Sequence, residues 1–167
     1  EAEDFYLRSI AINEKSLGPQ HASLGMPLIN LAELYIHLRR YTNAERFYRR
    51  ALTILEASLG PDHAEIAFAL LSMAEGYRVQ GRYEEAEPLF QRAIAMTEKT
   101  LGADHPQVAR TLTGYAVLLR ATKRKGEASR REQRAKAIAS NRRLETAAGA
   151  LTVDYGDLRD SIRERGK

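Results

Sequence analysis

Hydrophobic and polar positions along this chain follow the period of an α-helix and group into pairs of amphipathic helices. One apolar stripe recurs at three- and four-residue steps from Phe68 to Tyr77, and a second runs from Ala86 to Met96. Gly81 separates the two stripes, so this pair is predicted to form a helix hairpin. Over the whole chain, the pattern predicts helices at residues 1–16, 22–39, 42–58, 64–80, 83–100, 106–123 and 126–147.

The same pattern recurs every 42 residues, most visibly in the connectors between hairpins. The near copies are LGPQH (Leu17–His21), LGPDH (Leu59–His63) and LGADH (Leu101–His105). In each connector we expect the glycine to end a helix in a left-handed conformation. In the third connector, Asp104 or His105 is expected to cap the next helix. A fixed period of this size indicates stacked supersecondary units rather than one globular core.

The period divides the sequence into an array and a tail. Because Ala2 and Tyr6 match positions inside the later units, the sequence is expected to be a fragment of a longer array. The array is predicted over 1–146, as a partial repeat 1–20 and full repeats at about 21–58, 63–100 and 105–146. The last repeat would end in a polar capping helix. Residues 147–167 are predicted to be a linker and a short C-terminal helix, in which Tyr155, Leu158 and Ile162 share one side.

Composition excludes several classes of function. The chain has no cysteine, so it has no disulfide and no thiolate metal site, which is compatible with the cytoplasmic location we predict. It has no apolar run long enough to span a membrane. It also lacks the GxxxxGK phosphate loop and the HExxH zinc motif. We therefore predict a non-enzymatic protein with no cofactor and no metal.

Two sets of residues are candidates for chemical sites. Three of the four histidines, His21, His63 and His105, lie one per connector, too far apart to share a metal ion, so capping or packing is the favoured interpretation. Glu33 and Glu75 occupy equivalent positions on successive units. They could form an acid–base pair, but solvation or pairing with a nearby arginine is favoured.

Charge is distributed unevenly along the chain. Residues 1–104 carry 11 Lys and Arg against 15 Asp and Glu, whereas residues 105–167 carry 15 against 7. The excess is concentrated in Arg120–Arg143, which is interpreted as a solvated terminal helix, as a site for an acidic protein, or as a nucleic-acid site. The run contains no aromatic residue, so base stacking is not supported. The candidate basic patch consists of Lys123, Arg124, Lys125, Arg130, Arg131 and Arg134.

The repeated residues resemble the tetratricopeptide repeat. Its order of large apolar, Leu, small, Tyr, Tyr, Ala, aromatic and Ala positions is matched in the first full unit by Leu28, Leu31, Ala32, Tyr35, Tyr41, Ala44, Tyr48 and Ala51. The period exceeds the usual 34 residues, and this longer form is similar to the repeats of kinesin light chains. The resemblance implies an all-α, right-handed superhelical solenoid of antiparallel helix hairpins.

The resemblance also implies a function in protein–protein interaction. The first helix of each unit would line a concave groove that binds a peptide or helix, and the arginines suggest a ligand with acidic residues. The alternative is a structural or regulatory arm that self-associates through its repeat ends or its C-terminal helix; nucleic acid is the less favoured partner, and no membrane is expected. The groove residues would be Ile29, Asn30, Glu33, Ile36, His37, Leu71, Ser72, Glu75, Arg78, Arg110, Thr113 and Arg120.

Overall fold

The computed structural model of the protein describes residues 1–141, and this part of the chain is an array of helices without strands. The expected all-α solenoid of antiparallel helix hairpins is confirmed. The predicted linker and C-terminal helix at 147–167 lie outside the described residues. The helices are α1 (Ala2–Leu17), α2 (Gly25–His37), α3 (Tyr41–Leu59), α4 (Ala64–Val79), α5 (Tyr83–Leu101), α6 (Pro106–Ala121) and α7 (residues 125–141).

Short turns fold successive helices into hairpins. Helices α2 and α3 pack along each other, as do α4 and α5. Each of these pairs is joined by a turn of three residues, and a third such turn joins α6 to α7. The middle residue of each turn has a positive φ: 57° at Arg39, 76° at Gly81 and 64° at Lys123. Only the second unit places glycine there, although this conformation is unfavourable for residues that carry a Cβ.

The histidine of each connector caps the helical segment that follows it. The Nδ1 atoms of His21, His63 and His105 accept hydrogen bonds from backbone N–H groups two residues later, at 3.2, 3.3 and 3.2 Å. Each histidine is therefore the N-cap of its helix, and the alternative that Asp104 caps α6 is wrong. The preceding glycines have φ of 79–93° but extended ψ of 155–172°, a region open essentially to glycine alone, rather than the left-handed helical region expected.

The first full unit differs from the prediction at its start. The pattern predicts a helix from residue 22, but Ala22–Leu24 form a 3₁₀ turn and α2 begins at Gly25. Pro27 lacks the N–H that would bond to the carbonyl of Ser23 in a continuous α-helix. Gly25 is buried, and a Cβ on it would lie 2.5 Å from Cδ2 of Leu55, so a close contact between α2 and α3 requires glycine here.

Two ladders of ion pairs join the outer helices α1, α3, α5 and α7. Both follow the 42-residue period, and each pairs a glutamate of one outer helix with an arginine one repeat later. The first ladder, near the start of these helices, consists of Glu3–Arg40 (3.1 Å), Glu45–Arg82 (2.8 Å) and Glu87–Arg124 (2.7 Å). The second ladder, further along the same helices, consists of Glu14–Arg50, Glu56–Arg92 (2.6 Å) and Glu98–Arg134 (2.5 Å).

Tyrosines from the inner helices complete the first ladder. Tyr35 donates its hydroxyl to Glu3 at 2.8 Å, and Tyr115 donates to Glu87 at 2.6 Å. Although burial raises the pKa of Glu87, the hydrogen bonds from Tyr115 and Arg124 hold it below its ordinary value. The pKa of Glu45 is also lowered, principally by its hydrogen bond with Arg82. Glu45 and Glu87 are thus held ionised by their partners from the next repeat.

Candidate functional site

The inner face of the solenoid is formed by α2, α4 and α6. The backbones of α2 and α4 approach each other closely, as do those of α4 and α6. Within residues 1–141, no such approach joins α1 to α3 or α3 to α5. Because the inner helices are closer together than the outer helices, the array curves toward the inner face, which is its concave side.

A stripe along this inner face consists of four equivalent positions on each of the three inner helices. Contacts between successive helices place them side by side: Ser72 donates to Glu33 at 2.7 Å, and Arg110 lies 5.8 Å from the ring centre of Phe68. The sequence predicted six of these positions as ligand contacts, including Arg110, and the structure brings those residues together on one surface. The inner stripe consists of residues 26, 30, 33 and 37 of α2, 68, 72, 75 and 79 of α4, and 110, 114, 117 and 121 of α6.

Exposed apolar side chains occur on this stripe as well as on α1. Val79 is 55% exposed, Val117 is 44% exposed and Met26 is 39% exposed, and they lie one on each inner helix. Because apolar side chains that remain in water raise the free energy of the folded protein, exposed ones on one face are candidates for contacts with a partner.

A depression of about 190 Å³ opens on the inner face between α2 and α4. Five of its eight residues were predicted groove residues, whereas Tyr48, Gly76 and Val79 were not among the twelve predicted ligand contacts. Gly76 forms part of the wall because it has no side chain: a Cβ there would lie 3.1 Å from Cδ1 of Ile36 and 3.3 Å from Cε2 of Tyr48. The lining residues are Glu33, Ile36, His37, Tyr48, Ser72, Glu75, Gly76 and Val79.

Three predicted groove residues do not offer the contacts expected of them. Ile29 is completely buried and Leu71 is 3% exposed, because both point into the core between the helices. The expectation that they supply apolar contacts to a ligand is therefore corrected. Thr113 is exposed, but its hydroxyl donates to the carbonyl of Ala109 in its own helix at 2.9 Å.

The three predicted groove arginines already have partners within the protein. Arg78 donates to Glu75 at 2.7 Å, and Arg110 lies over Phe68. Arg120 makes two hydrogen bonds of 2.7 Å to Glu132, which stands at the position that holds an aromatic residue in the other units. Guanidinium groups engaged in this way contribute less net positive charge to the groove than the sequence suggested.

Half of the candidate basic patch is also engaged in the fold. Arg124 and Arg134 are the last arginines of the two ladders, and Arg131 lies 5.3 Å from the ring centre of Tyr115. The exposed cations that remain from the patch are Lys123, Lys125 and Arg130. The patch therefore stabilises the array first, and only part of its charge faces solvent.

Two carboxylates set the electrostatic character of the depression. Tyr48 lies behind them, and its pKa is raised by burial first and then by the negative charges of Glu33 and Glu75. Ser72 donates a hydrogen bond to Glu33. Among residues 1–141, no lysine or arginine lies within ion-pair distance of the Glu33 carboxylate. The depression is thus acidic, whereas the α6 end of the inner face carries Arg110 and Arg120.

Comparison with known sequences agrees with this architecture. The sequence model of the family described as Tetratricopeptide repeat matches residues 1–57, 24–78 and 65–141. The chain belongs to the tetratricopeptide repeat family. Repeats of this family generally mediate protein–protein interactions. No curated protein sequence is significantly similar to the chain.

Solved structures of similar fold include repeat proteins of the kinesin light chain type. BtubC (BKLC) from P. vanneervenii superposes with a TM-score of 0.77 at 21% identity, covering 84% of this chain and 56% of BtubC. Two structures of a kinesin light chain protein of Podosopora anserina with nearly identical TPR-like repeats, one of them a single-residue variant, give TM-scores of 0.68 and 0.65 at 22% identity. They cover 85% and 83% of this chain, and 67% and 66% of theirs. This tetratricopeptide array therefore spans little more than half the length of BtubC, and the likeness shows the fold alone.

Sequence reasoning missed the ladders and the depression, although a signal existed for both. The first ladder's glutamates and arginines each recur at the 42-residue step, so their pairing could have been sought from the period. Gly76 departs from the equivalent residues Leu34 and Leu118. The missing side chain at Gly76 leaves space between α2 and α4.

No helix among residues 1–141 has the length and apolar character needed to cross a bilayer.

Proposed function

We propose that this tetratricopeptide array is a non-enzymatic module that binds a peptide or helix of a partner protein along its inner face. The observation that carries the proposal is the inner stripe itself, where the apolar side chains of Val79 on α4 and Val117 on α6 are exposed on the concave side. A face that is already formed before binding loses little conformational entropy when a ligand docks. The predicted cytoplasmic location remains part of this proposal.

The ion pairs of the array limit the part of the inner face that is proposed to bind an acidic ligand. Arg78 and Arg120 each bond to a glutamate of the array, so replacing them would disturb the fold as well as the groove. Arg110 is exposed on the stripe and its partner is an aromatic ring rather than a carboxylate. An acidic ligand segment is therefore proposed only for the α6 end of the inner face.

The test uses exposed apolar residues, because their replacement leaves the core and the ion pairs intact. Short random peptides displayed on phage would be selected on the immobilised protein, and the affinities of enriched peptides would be measured by fluorescence anisotropy. We expect Val79→Asp or Val117→Asp to weaken binding by about tenfold or more. Ile12→Asp is the matched control, since Ile12 is 66% exposed on α1, away from the stripe.

The outcome of this comparison separates the two candidate functions. Enriched peptides that bind equally well to the wild type, Val79→Asp and Val117→Asp proteins would contradict the inner-face proposal. No enrichment at all would contradict it as well.

A structural or assembly role is the second candidate, and the surface of α1 supports it. Phe5 and Ile12 are both about two-thirds exposed. Arg8 stands at the position of the second ladder's arginines, and within residues 1–141 its one ion pair is with Asp4 of its own helix, at 3.0 Å. This surface would associate with another helix of the same kind. Sedimentation that depends on protein concentration in the wild type, but not in the Ile12→Asp variant, would favour this role. Concentration-independent sedimentation of both would contradict it.

A further inference from the structure

The depression on the inner face is lined by both apolar and charged residues. The apolar residues are Ile36, Val79 and Tyr48, and the carboxylate residues Glu33 and Glu75 line the same space. A volume of about 190 Å³ is suited to a single long side chain rather than to a helix or a strand. The shape therefore indicates a pocket for one residue of a bound peptide.

The two carboxylates are not equally available. Glu75 already accepts a 2.7 Å hydrogen bond from Nε of Arg78 in its own helix. Glu33 has Ile36 at the equivalent position, so the corresponding arginine is missing, and its described hydrogen bond comes from the neutral hydroxyl of Ser72 at 2.7 Å. Glu33 is thus the carboxylate whose charge remains unbalanced within the described array.

Two positions around the depression differ in the next repeat. Between α4 and α6, Leu118 occupies the position of Gly76 and is completely buried. The position of Ser72 is occupied by Gly114, and the Glu75 carboxylate lies so close to it that a Cβ there would be 2.0 Å from Oε1. The side chains of Leu118 and Glu75 thus fill positions between α4 and α6 whose equivalents leave space between α2 and α4.

We propose that this depression binds a lysine or arginine side chain of the partner peptide. The aliphatic stem would pack against Ile36, Val79 and Tyr48, and the cationic head would pair with Glu33. Long basic side chains have this division into an apolar stem and a charged end, and an ion pair supported by hydrogen bonds is among the stronger polar contacts. An acidic side chain would be repelled, and an apolar one would bury the Glu33 charge without a partner.

This inference rests on the proposed inner-face binding and adds a direction to the bound ligand. A ligand that places a basic residue between α2 and α4 and acidic residues toward Arg110 on α6 would be oriented in one direction along the array. Electrostatic complementarity of this kind fixes the register of a bound chain.

The experiment compares charge and shape variants on peptides selected from the phage library with the wild-type protein. Glu33→Gln removes the charge but keeps an oxygen that can accept from Ser72, and Gly76→Ala narrows the depression. Glu84→Gln removes an exposed carboxylate of α5 and is the matched control. Circular dichroism would establish that each variant is folded; because Glu33→Gln is isosteric, the test does not depend on the glycine variant.

We expect the selected peptides to share one basic position and to lose about tenfold in affinity for Glu33→Gln, with no change for Glu84→Gln. Replacing that basic residue of the peptide by norleucine should cause a similar loss and make binding insensitive to Glu33→Gln. Enriched peptides without a shared basic position, or an affinity for Glu33→Gln within about twofold of the wild type, would overturn this inference while leaving inner-face binding intact. A selection that enriches no peptide would overturn both.

Discussion

The first ladder predicts that Glu87 is a principal stabilising residue of the array although it lies near the surface. Its carboxylate accepts hydrogen bonds of 2.7 Å from Arg124 to both oxygens and one of 2.6 Å from Tyr115. These three contacts join α5, α6 and the turn before α7. Glu87→Gln would keep the size of the side chain and remove the charge that Arg124 and Tyr115 both contact.

The expected magnitude follows from the number of contacts and their exposure. Hydrogen bonds to charged groups contribute about 1.5–3 kcal/mol each when well buried, but the side chains of Glu87 and Arg124 are 24% and 37% exposed. Surface ion pairs contribute about 0–1 kcal/mol. Arg124 also keeps its bond to Glu127 in the variant. We therefore expect Glu87→Gln to reduce the free energy of unfolding by about 1.5 kcal/mol.

The assay is equilibrium unfolding in urea, followed by circular dichroism at 222 nm near neutral pH. Glu84→Gln is the control, because it removes the same charge from the first turn of the same helix without breaking an ion pair of the described array. A double-mutant cycle with Arg124→Gln should give a coupling free energy of about 1 kcal/mol. Coupling below about 0.3 kcal/mol, or equal effects of Glu87→Gln and Glu84→Gln, would refute the reasoning.

The pH dependence provides a second check on the same residue. Because the pKa of Glu87 is lower in the folded protein than the ordinary value of 4.5, its stabilising effect is fully present above pH 4.5. The effect is lost as pH falls through the lowered pKa. The stability difference between wild type and Glu87→Gln should therefore shrink below pH 4.5, and a difference that grows on acidification would contradict the assignment.

Three further predictions concern the connectors, the close contact in the first unit and the ladder as a whole. His63→Ala should reduce the free energy of unfolding by about 1 kcal/mol, because it removes the N-cap of α4, whereas His37→Ala, which removes no cap, should change it by less than about 0.5 kcal/mol in the same urea assay. Gly25→Ala should destabilise the protein by about 1–2 kcal/mol, since its Cβ would overlap Leu55, while Gly126→Ala, which has no neighbour within 4 Å, should stabilise it by about 0.5 kcal/mol. The urea midpoint of the wild type should fall as pH drops below 4.5, because both first-ladder glutamates with lowered pKa values must then be protonated; a midpoint that is constant down to the pKa of these groups would contradict the ladder.

The sequence by itself determined the repeated architecture of this protein. The spacing of apolar residues and the 42-residue step predicted every helix of the described array within a few residues, as well as the connectors that contain His63 and its equivalents. These features can be read because helix periodicity, capping and turn formation depend on residues within a few positions of one another. The same local logic identified the inner helices and half of the inner stripe.

Only the tertiary structure decided which side chains are available to a ligand. Arg120 was predicted as a ligand contact, yet it pairs with Glu132 of α7, whose position depends on the packing of neighbouring helices, whereas Arg78 pairs with Glu75 within α4. Ile29 lies on the expected helix but faces the core, and the depression beside Gly76 is bounded by Ile36 of α2 and Tyr48 of α3. Such contacts depend on the offset and rotation between successive helices, which a period along the chain does not specify. The sequence therefore determined the scaffold, and the packing of one repeat on the next determined the charge and shape of its inner face.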